Sequence, residues 1–388
     1  MNTVEKDQAY IANTYARFPV EIVRGAGSVA YGADGKEYID MGAGIAVNTF
    51  GYADEAYNAA VKAQLDAFQH TSNLYYSAPA ADLAEALAKK SGLKKVFFGN
   101  SGAEANECAI KTARKWGVEH KGEGAFNIVT LQGSFHGRTV TTLSATGQDV
   151  FHKHFDPFTG GFSYAPINDA SALEALVNEK TCAVMVEFVQ GEGGVNPLDA
   201  AFVRKIFELK EKYDFLVIAD EVQTGNGRTG HYFAYQAFGV LPDIVTTAKG
   251  LGGGLPIGAC LFGEKTADVL GRGDHGSTFG GNPVVAAGAL SIVKRIDDAL
   301  LAEVAKKGEY IKSKLAGATG ILGVTGMGLM LGVKTLADAK KVVMSCLEKG
   351  VLFLTAKDKI RLLPALNIPY ALIDKAIDVL LESVKEAL

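Results

Sequence analysis

Apolar residues along the chain follow two rhythms. At 54–68, Tyr57, Val61, Leu65 and Phe68 recur at helical spacing, and at 80–90 Leu83 and Leu87 repeat it after Pro79, so both stretches predict amphipathic helices. Beyond residue 95, short and almost wholly apolar runs alternate with helical stretches. The runs 96–98, 128–131, 183–187, 215–219 and 257–262 predict strands, with helices at 103–116 and 200–213 between them. Strands that lack a polar face and alternate with helices are expected where a parallel sheet is covered on both sides, which makes the fold class α/β.

The two ends read differently. Alternating runs at 28–31 and 37–41 flank Asp34-Gly35, a hairpin signal, and no helix is expected in the first 50 residues. A single long helical pattern over 283–304 leads into a last segment where 351–354 and 360–363 read as strands between helices at 338–349 and 370–388. That segment predicts a smaller α+β unit, and the N-terminal hairpin is expected to pack with it. The expected organisation is an N-terminal segment 1–50, a large domain 51–285 and a C-terminal small domain 286–388, in line with about two to three domains for 388 residues.

Composition narrows the function classes. With 48% hydrophobic and 21% charged residues the chain has too much apolar surface to stay disordered. A net charge of -4 from 39 basic and 43 acidic side chains argues against nucleic acid as a partner. Nowhere do 18 apolar residues run together, and no leader pattern opens the chain, so neither a membrane span nor secretion is expected. Cys108, Cys182, Cys260 and Cys346 are scattered, with no zinc spacing; they read as reduced, mostly buried thiols of a cytoplasmic protein. His152-Lys153-His154 has no third ligand nearby and reads as a solvated loop, so no metal is expected.

Three clusters could carry chemistry, each at a strand end where ligands bind in such sheets. Asn100-Ser101-Gly102-Ala103-Glu104 opens a helix whose free N–H groups would suit a phosphate, although a Ser cap with Glu104 three positions on explains it as well. Asp220 follows the apolar run 215–219, where a carboxylate needs a cationic or donor partner and can hold a ring nitrogen protonated; capping of the next turn is the plainer reading. Lys249 lies between a strand end and Gly250, Gly252, Gly253 and Gly254. A buried lysine there could form an imine, whereas a solvated lysine on a flexible loop is the commoner fate. Neither a Walker A loop nor a dinucleotide fingerprint is present.

Taken together and in this order, these clusters resemble the class III pyridoxal-phosphate aminotransferases of fold type I. The likeness runs over nearly the whole chain: Arg24-Gly25 with Asp34 to Asp40, the 100–106 stretch, Phe135-His136-Gly137-Arg138-Thr139, Gln190-Gly191-Glu192-Gly193-Gly194, Asp220-Glu221-Val222-Gln223-Thr224-Gly225, the Lys249 loop and Gly276 to Pro283. Within the class it is most similar to the acetylornithine aminotransferase branch, through Gly44 to Val47, His70 to Tyr76 and Arg361 to Leu366. The resemblance implies a large domain with a mostly parallel seven-stranded sheet, a smaller α+β domain, pyridoxal 5'-phosphate as cofactor and a homodimer with shared active sites.

It also implies roles, residue by residue. Lys249 would carry the cofactor and shuttle the proton, Asp220 would hold the pyridinium proton, Gln223 would bond the phenolic oxygen and Phe135 would stack on the ring. Ser101, Gly102 and Ala103 would bind the phosphate, joined by Thr278 of the second subunit. Arg138 would take the α-carboxylate and Arg361 the second carboxylate of glutamate, with Glu192 pairing Arg361 when that carboxylate is absent. Ser277, Tyr15 and Asn73 would lie around the substrate. The implied reaction moves the terminal amine of N-acetylornithine to 2-oxoglutarate, yielding glutamate, in arginine biosynthesis. Ornithine or 4-aminobutyrate transfer and an aminomutase are the rivals. The chain departs from the family at Gly51-Tyr52-Ala53-Asp54-Glu55, where Gly-His-x-His-Pro is common, and at Phe188, where proline is common. The first departure is expected to alter a loop and could affect access.

Overall fold

A computed structural model describes all 388 residues. Its centre is a seven-stranded sheet in the spatial order Lys95–Gly99, Gly258–Phe262, Ile244–Thr247, Leu216–Asp220, Thr181–Val186, Asn127–Leu131 and Phe162–Ala165. All neighbours run parallel except Gly258–Phe262, which is antiparallel to both of its partners. Strand alternation divides the burial: Val184, Val186, Val217 and Ala219 face one core with Phe202, Ile206 and Phe233, while Ala183, Met185, Leu216 and Ile218 face another with Ile110 and Trp116. Both faces are covered, so these runs carry no polar phase.

The N-terminal strands Ile22–Ala26, Val29–Gly32 and Glu37–Asp40 form a meander that Val351–Leu352 extends by pairing parallel to Glu37–Asp40. The turn is set by Gly35, at φ +81°, and by Asp34, which accepts Tyr38 Oη at 2.8 Å. A second antiparallel sheet runs Ile321–Met327, Met330–Thr335, Lys359–Leu362 and Leu354–Ala356. A core of its own joins Met41 to Val304, Ile311, Leu362 and Leu380.

Two sequence expectations need correction, and one hairpin was not foreseen. The first 50 residues do contain a helix, Thr3–Tyr10, which buries no residue and is held by a capping box between Asn2 and Glu5; local hydrogen bonding rather than apolar rhythm makes it. The single helix over 283–304 is two, Pro283–Arg295 and Asp298–Leu315, because the Asp297 side chain accepts the Leu300 N–H at 2.8 Å and starts a new one. The hairpin of Ile321–Met327 and Met330–Thr335 was hidden by Gly323, Gly326 and Gly332, which interrupt its alternation. No helix is long and apolar enough to cross a membrane.

Candidate active site

A cavity of about 630 Å³ opens at the carboxyl ends of the central strands. Its floor is made by residues just past those ends: Asp220 closes Leu216–Asp220, Glu187 follows Thr181–Val186, and Lys249 comes two positions after Ile244–Thr247. A parallel sheet gathers such residues because all its strands point the same way.

Asp220 is 3% exposed, and each of its oxygens is answered. Oδ2 accepts Asn106 Nδ2 at 2.8 Å and lies 2.8 Å from His136 Nδ1, while Oδ1 accepts the Val222 N–H at 3.0 Å. Asn106 is itself fixed by His136 O and by Thr246 Oγ1, which donates to it at 2.6 Å. Both carboxylate oxygens are thus bonded at a desolvated spot, while His136 Nε2 on the far side of the ring has no partner. Lys249 adopts φ +45°, a left-handed conformation unusual for a residue with a side chain. Burial holds its ammonium below the usual lysine range, against the favourable charge of Glu192.

At the other side of the cavity the helix Gly102–Lys121 presents its N-terminus. Ser101 Oγ accepts the Glu104 N–H at 3.1 Å, and Glu104 reaches past it to the Asn100 N–H at 2.7 Å. Capping therefore uses the N–H groups of Asn100 and Glu104, and Gly102 and Ala103 line the cavity at the positive end of the helix. A Cβ on Gly102 would stand 2.7 Å from Val222, so the backbone approaches as closely as it does only without one.

Glu192 and Arg361 pair at 2.5 Å, with the guanidinium 3.2 Å from Gln223 Oε1. Burial works against the Glu192 charge, but Arg361, Lys249 and Gln223 together hold the carboxyl below the usual range. Arg361 is 3% exposed and its Nε has no partner. Arg138 is exposed at the cavity lip, its guanidinium 4.3 Å from the Phe151 ring and 5.5 Å from Phe135. Phe135 and Val222 both line the cavity, as does Tyr15, which is 70% exposed.

The chain thus brings Lys249, Asp220, Ser101, Gly102, Ala103, Phe135, Gln223, Arg138, Glu192 and Tyr15 to one cavity, with Arg361 directly behind Glu192 and Gln223. Three candidates lie elsewhere. Ser277 Oγ accepts Asn100 Nδ2 at 3.1 Å, Thr278 is exposed, and Asn73 Nδ2 donates to the carbonyls of Ser277 and Gly280 in a neighbouring cleft of about 510 Å³. The 51–55 departure also stays off the cavity: Asp54 caps the helix Glu55–Ala67 and pairs with Arg295 at 2.8 Å. Phe188 fills the core between Tyr235 and Phe238.

Sequence reasoning missed Asn106, His136 and Glu187. Glu187 carried the same signal as Asp220, a carboxylate directly after a fully buried strand. Asn106 and His136 sit inside matched motifs, but nothing in their spacing along the chain shows that both meet Asp220.

A buried carboxylate, an aromatic ring in the cavity lining, a helix N-terminus and a desolvated lysine fit pyridoxal phosphate: an acceptor for the ring nitrogen, a face for the ring, donors for the phosphate and an amine for the aldehyde. The family profile "Aminotransferase class-III" matches residues 10–384. Over 386 residues the chain is 48% identical to an acetylornithine aminotransferase of Haemophilus ducreyi, covering 98% of each. An N-acetylornithine aminotransferase structure from Stenotrophomonas maltophilia superposes with a TM-score of 0.85 at 35% identity, over 99% of this chain and 98% of that one. An ornithine aminotransferase of Toxoplasma gondii, with pyridoxal phosphate at partial occupancy in its active site, superposes with a TM-score of 0.94 at 31% identity, over 99% and 94%.

Proposed function

The chain belongs to the class-III aminotransferases, pyridoxal-phosphate enzymes, and from that premise we propose that it transfers the terminal amine of N-acetylornithine to 2-oxoglutarate. The setting is arginine biosynthesis in the cytoplasm, and the working unit is a homodimer in which the partner's exposed 277–278 loop completes the phosphate site. The observation that carries the reading is the Glu192–Arg361 pair beside Lys249. A guanidinium neutralised by a movable neighbouring carboxylate suits an enzyme that must accept a dicarboxylate in one half-reaction and an amine lacking it in the other.

When bound, pyridoxal phosphate supplies an aldehyde carbon that takes the amine and a ring that draws electrons from the adjacent C–H bond. Asp220, already supplied with donors by Asn106 and His136, would hold the proton of the ring nitrogen. Phe135 would stack on the ring, and the N–H groups of Gly102 and Ala103 would bind phosphate. Lys249 Nζ, whose charged form burial disfavours, would take the proton from the donor carbon bearing the amine. Arg138, at the cavity lip, would pair with the α-carboxylate of N-acetylornithine, which lies remote from the reacting terminal carbon. For glutamate, Arg361 exchanges Glu192 for the side-chain carboxylate; for N-acetylornithine the Glu192 pair stays closed.

The donor preference rests on relatives of that name, since the backbone superposes on an ornithine aminotransferase as well. The deciding measurement is the absorbance of cofactor-loaded protein during single additions of N-acetylornithine, ornithine, 4-aminobutyrate and glutamate without keto acid. Bleaching should be fastest with N-acetylornithine and also occur with glutamate. Faster bleaching by ornithine or 4-aminobutyrate would reassign the donor, and silence toward glutamate would remove the role given to Arg361.

A further inference from the structure

Glu187 has no place in the reaction just described, yet it is 5% exposed in the floor of the same cavity. Val186 pairs with Ala219 across parallel strands, so Glu187 stands beside Asp220. Two carboxylates at neighbouring strand ends away from water are unfavourable, and the second persists only if something holds it there. Asp220 is answered by Asn106, His136 and Val222. Glu187 instead takes two main-chain donors from different loops: Oε1 accepts the Phe135 N–H at 2.9 Å and Oε2 the Gly191 N–H at 2.9 Å.

We infer that Glu187 is a positioning residue of this cavity, a single buried carboxylate that holds the Phe135 wall and the Gly191–Glu192 turn in register with each other. Its own backbone cannot yield, because the next residue, Phe188, is 1% exposed and wedged against the Tyr235 and Phe238 rings, with centroids 6.3 and 5.3 Å away. On the Gly191 side the connection continues. A Cβ on Gly191 would lie 2.5 Å from the Gln223 amide oxygen, and Gln223 contacts both Glu192 and Arg361. A shift of Gly191 therefore moves the groups that meet the second carboxylate, while a shift of Phe135 moves the face on which the ring rests. Burial pushes the Glu187 carboxyl up to about 7 against the favourable charge of His136, with Asp220 adding to the rise. Holding both loops thus costs ionisation energy that a neutral residue would not incur.

The inference rests on the proposed roles of Phe135, Glu192 and Arg361, and the chemistry of the carboxylate provides the test. Gln offers one acceptor oxygen, so its amide group would face an N–H it cannot accept; Asp keeps the charge but is a methylene too short to reach both. In cofactor-loaded protein, Glu187→Gln should raise the cofactor dissociation constant and the KM for 2-oxoglutarate together, each about tenfold, as expected for one lost charge-assisted hydrogen bond. The KM for N-acetylornithine should stay within about twofold. Glu187→Asp, which preserves burial and charge, should move at least one of the two readouts and covers the case in which the amide variant does not fold. A fall in Tm with both readouts at wild-type values would overturn the inference and leave Glu187 a structural group. Glu192→Gln and Arg361→Lys serve as separate controls. If these leave the KM for 2-oxoglutarate unchanged, the role of Arg361 fails, while the cofactor dissociation constant of Glu187→Gln still decides whether Glu187 holds Phe135.

Discussion

Lys249 and Glu221 show how burial sets behaviour at the scale of one residue. Lys249 combines a left-handed backbone with a desolvated ammonium, two costs that an ordinary loop lysine does not bear. Lys249→Ala should lower turnover by roughly 10²–10⁴-fold and remove the visible absorption of covalently bound cofactor, measured by steady-state assay and spectrum. Glu221, next to Asp220, faces away into the core, where it accepts Thr224 Oγ1 and the N–H groups of Ala234 and Tyr235. Burial nevertheless pushes its carboxyl up from 4.5 to about 7. The folded chain then holds a proton that the unfolded chain releases, so this group's contribution to stability is full below about 4.5 and is lost as pH rises through about 7. Thermal unfolding between those limits should show a smaller decline of Tm with pH in Glu221→Gln than in the parent, at a cost of about 1–3 kcal/mol for the displaced hydrogen bonds.

At the scale of elements, the proposed phosphate end is a junction of the helix Gly102–Lys121 and the strands Lys95–Gly99 and Gly258–Phe262. Gly258 opens the antiparallel strand Gly258–Phe262, and a Cβ there would lie 2.0 Å from the Ser101 carbonyl oxygen. Gly258→Ala must displace the first turn of the helix Gly102–Lys121. It should weaken cofactor affinity at least about tenfold in a spectroscopic titration, one such factor corresponding to about 1.4 kcal/mol. Ser101→Ala removes the cap but leaves the backbone in place. It should cost about 1 kcal/mol in stability, read by denaturant unfolding, and change cofactor affinity less than the glycine variant does.

For the molecule as a whole, Arg228 ties the Asp220–Gly230 loop to the second antiparallel sheet. Its guanidinium is 2% exposed and donates to the carbonyls of Leu329 and Pro364, the latter three residues beyond Arg361. Arg228→Met would leave two buried acceptors without donors and should destabilise the fold by roughly 2–4 kcal/mol in chemical denaturation. The exposed group of Leu74, Tyr75, Tyr76 and Phe279, 88%, 70%, 107% and 59% exposed, adjoins Thr278. The homodimer proposed above would cover it, and Leu74→Asp should shift the sedimenting species from about twice 40.9 kDa toward the single chain.

Much of this protein is legible in its sequence for one physical reason: a strand buried on both faces has no polar phase, so the runs before Asp220 and the helix behind Ser101 stand out from the amino acids alone. Ser101, Asp220 and Lys249 each keep a plainer reading by themselves; their order along the chain points to a cofactor only through the resemblance to the class III aminotransferases. What spacing could not express is which donors answer which buried charge. Asn106 and His136 meet Asp220 from a helix and a loop far away in the chain, and Glu187 stands beside it only because two strands run in register. The small hairpin 321–335 stayed hidden because glycines broke its alternation, and the helix at Thr3–Tyr10 because capping, not burial, forms it. Local periodicity reports burial, which each segment expresses for itself; partner choice in a desolvated cavity is a property of elements brought together, and only the tertiary structure decides it.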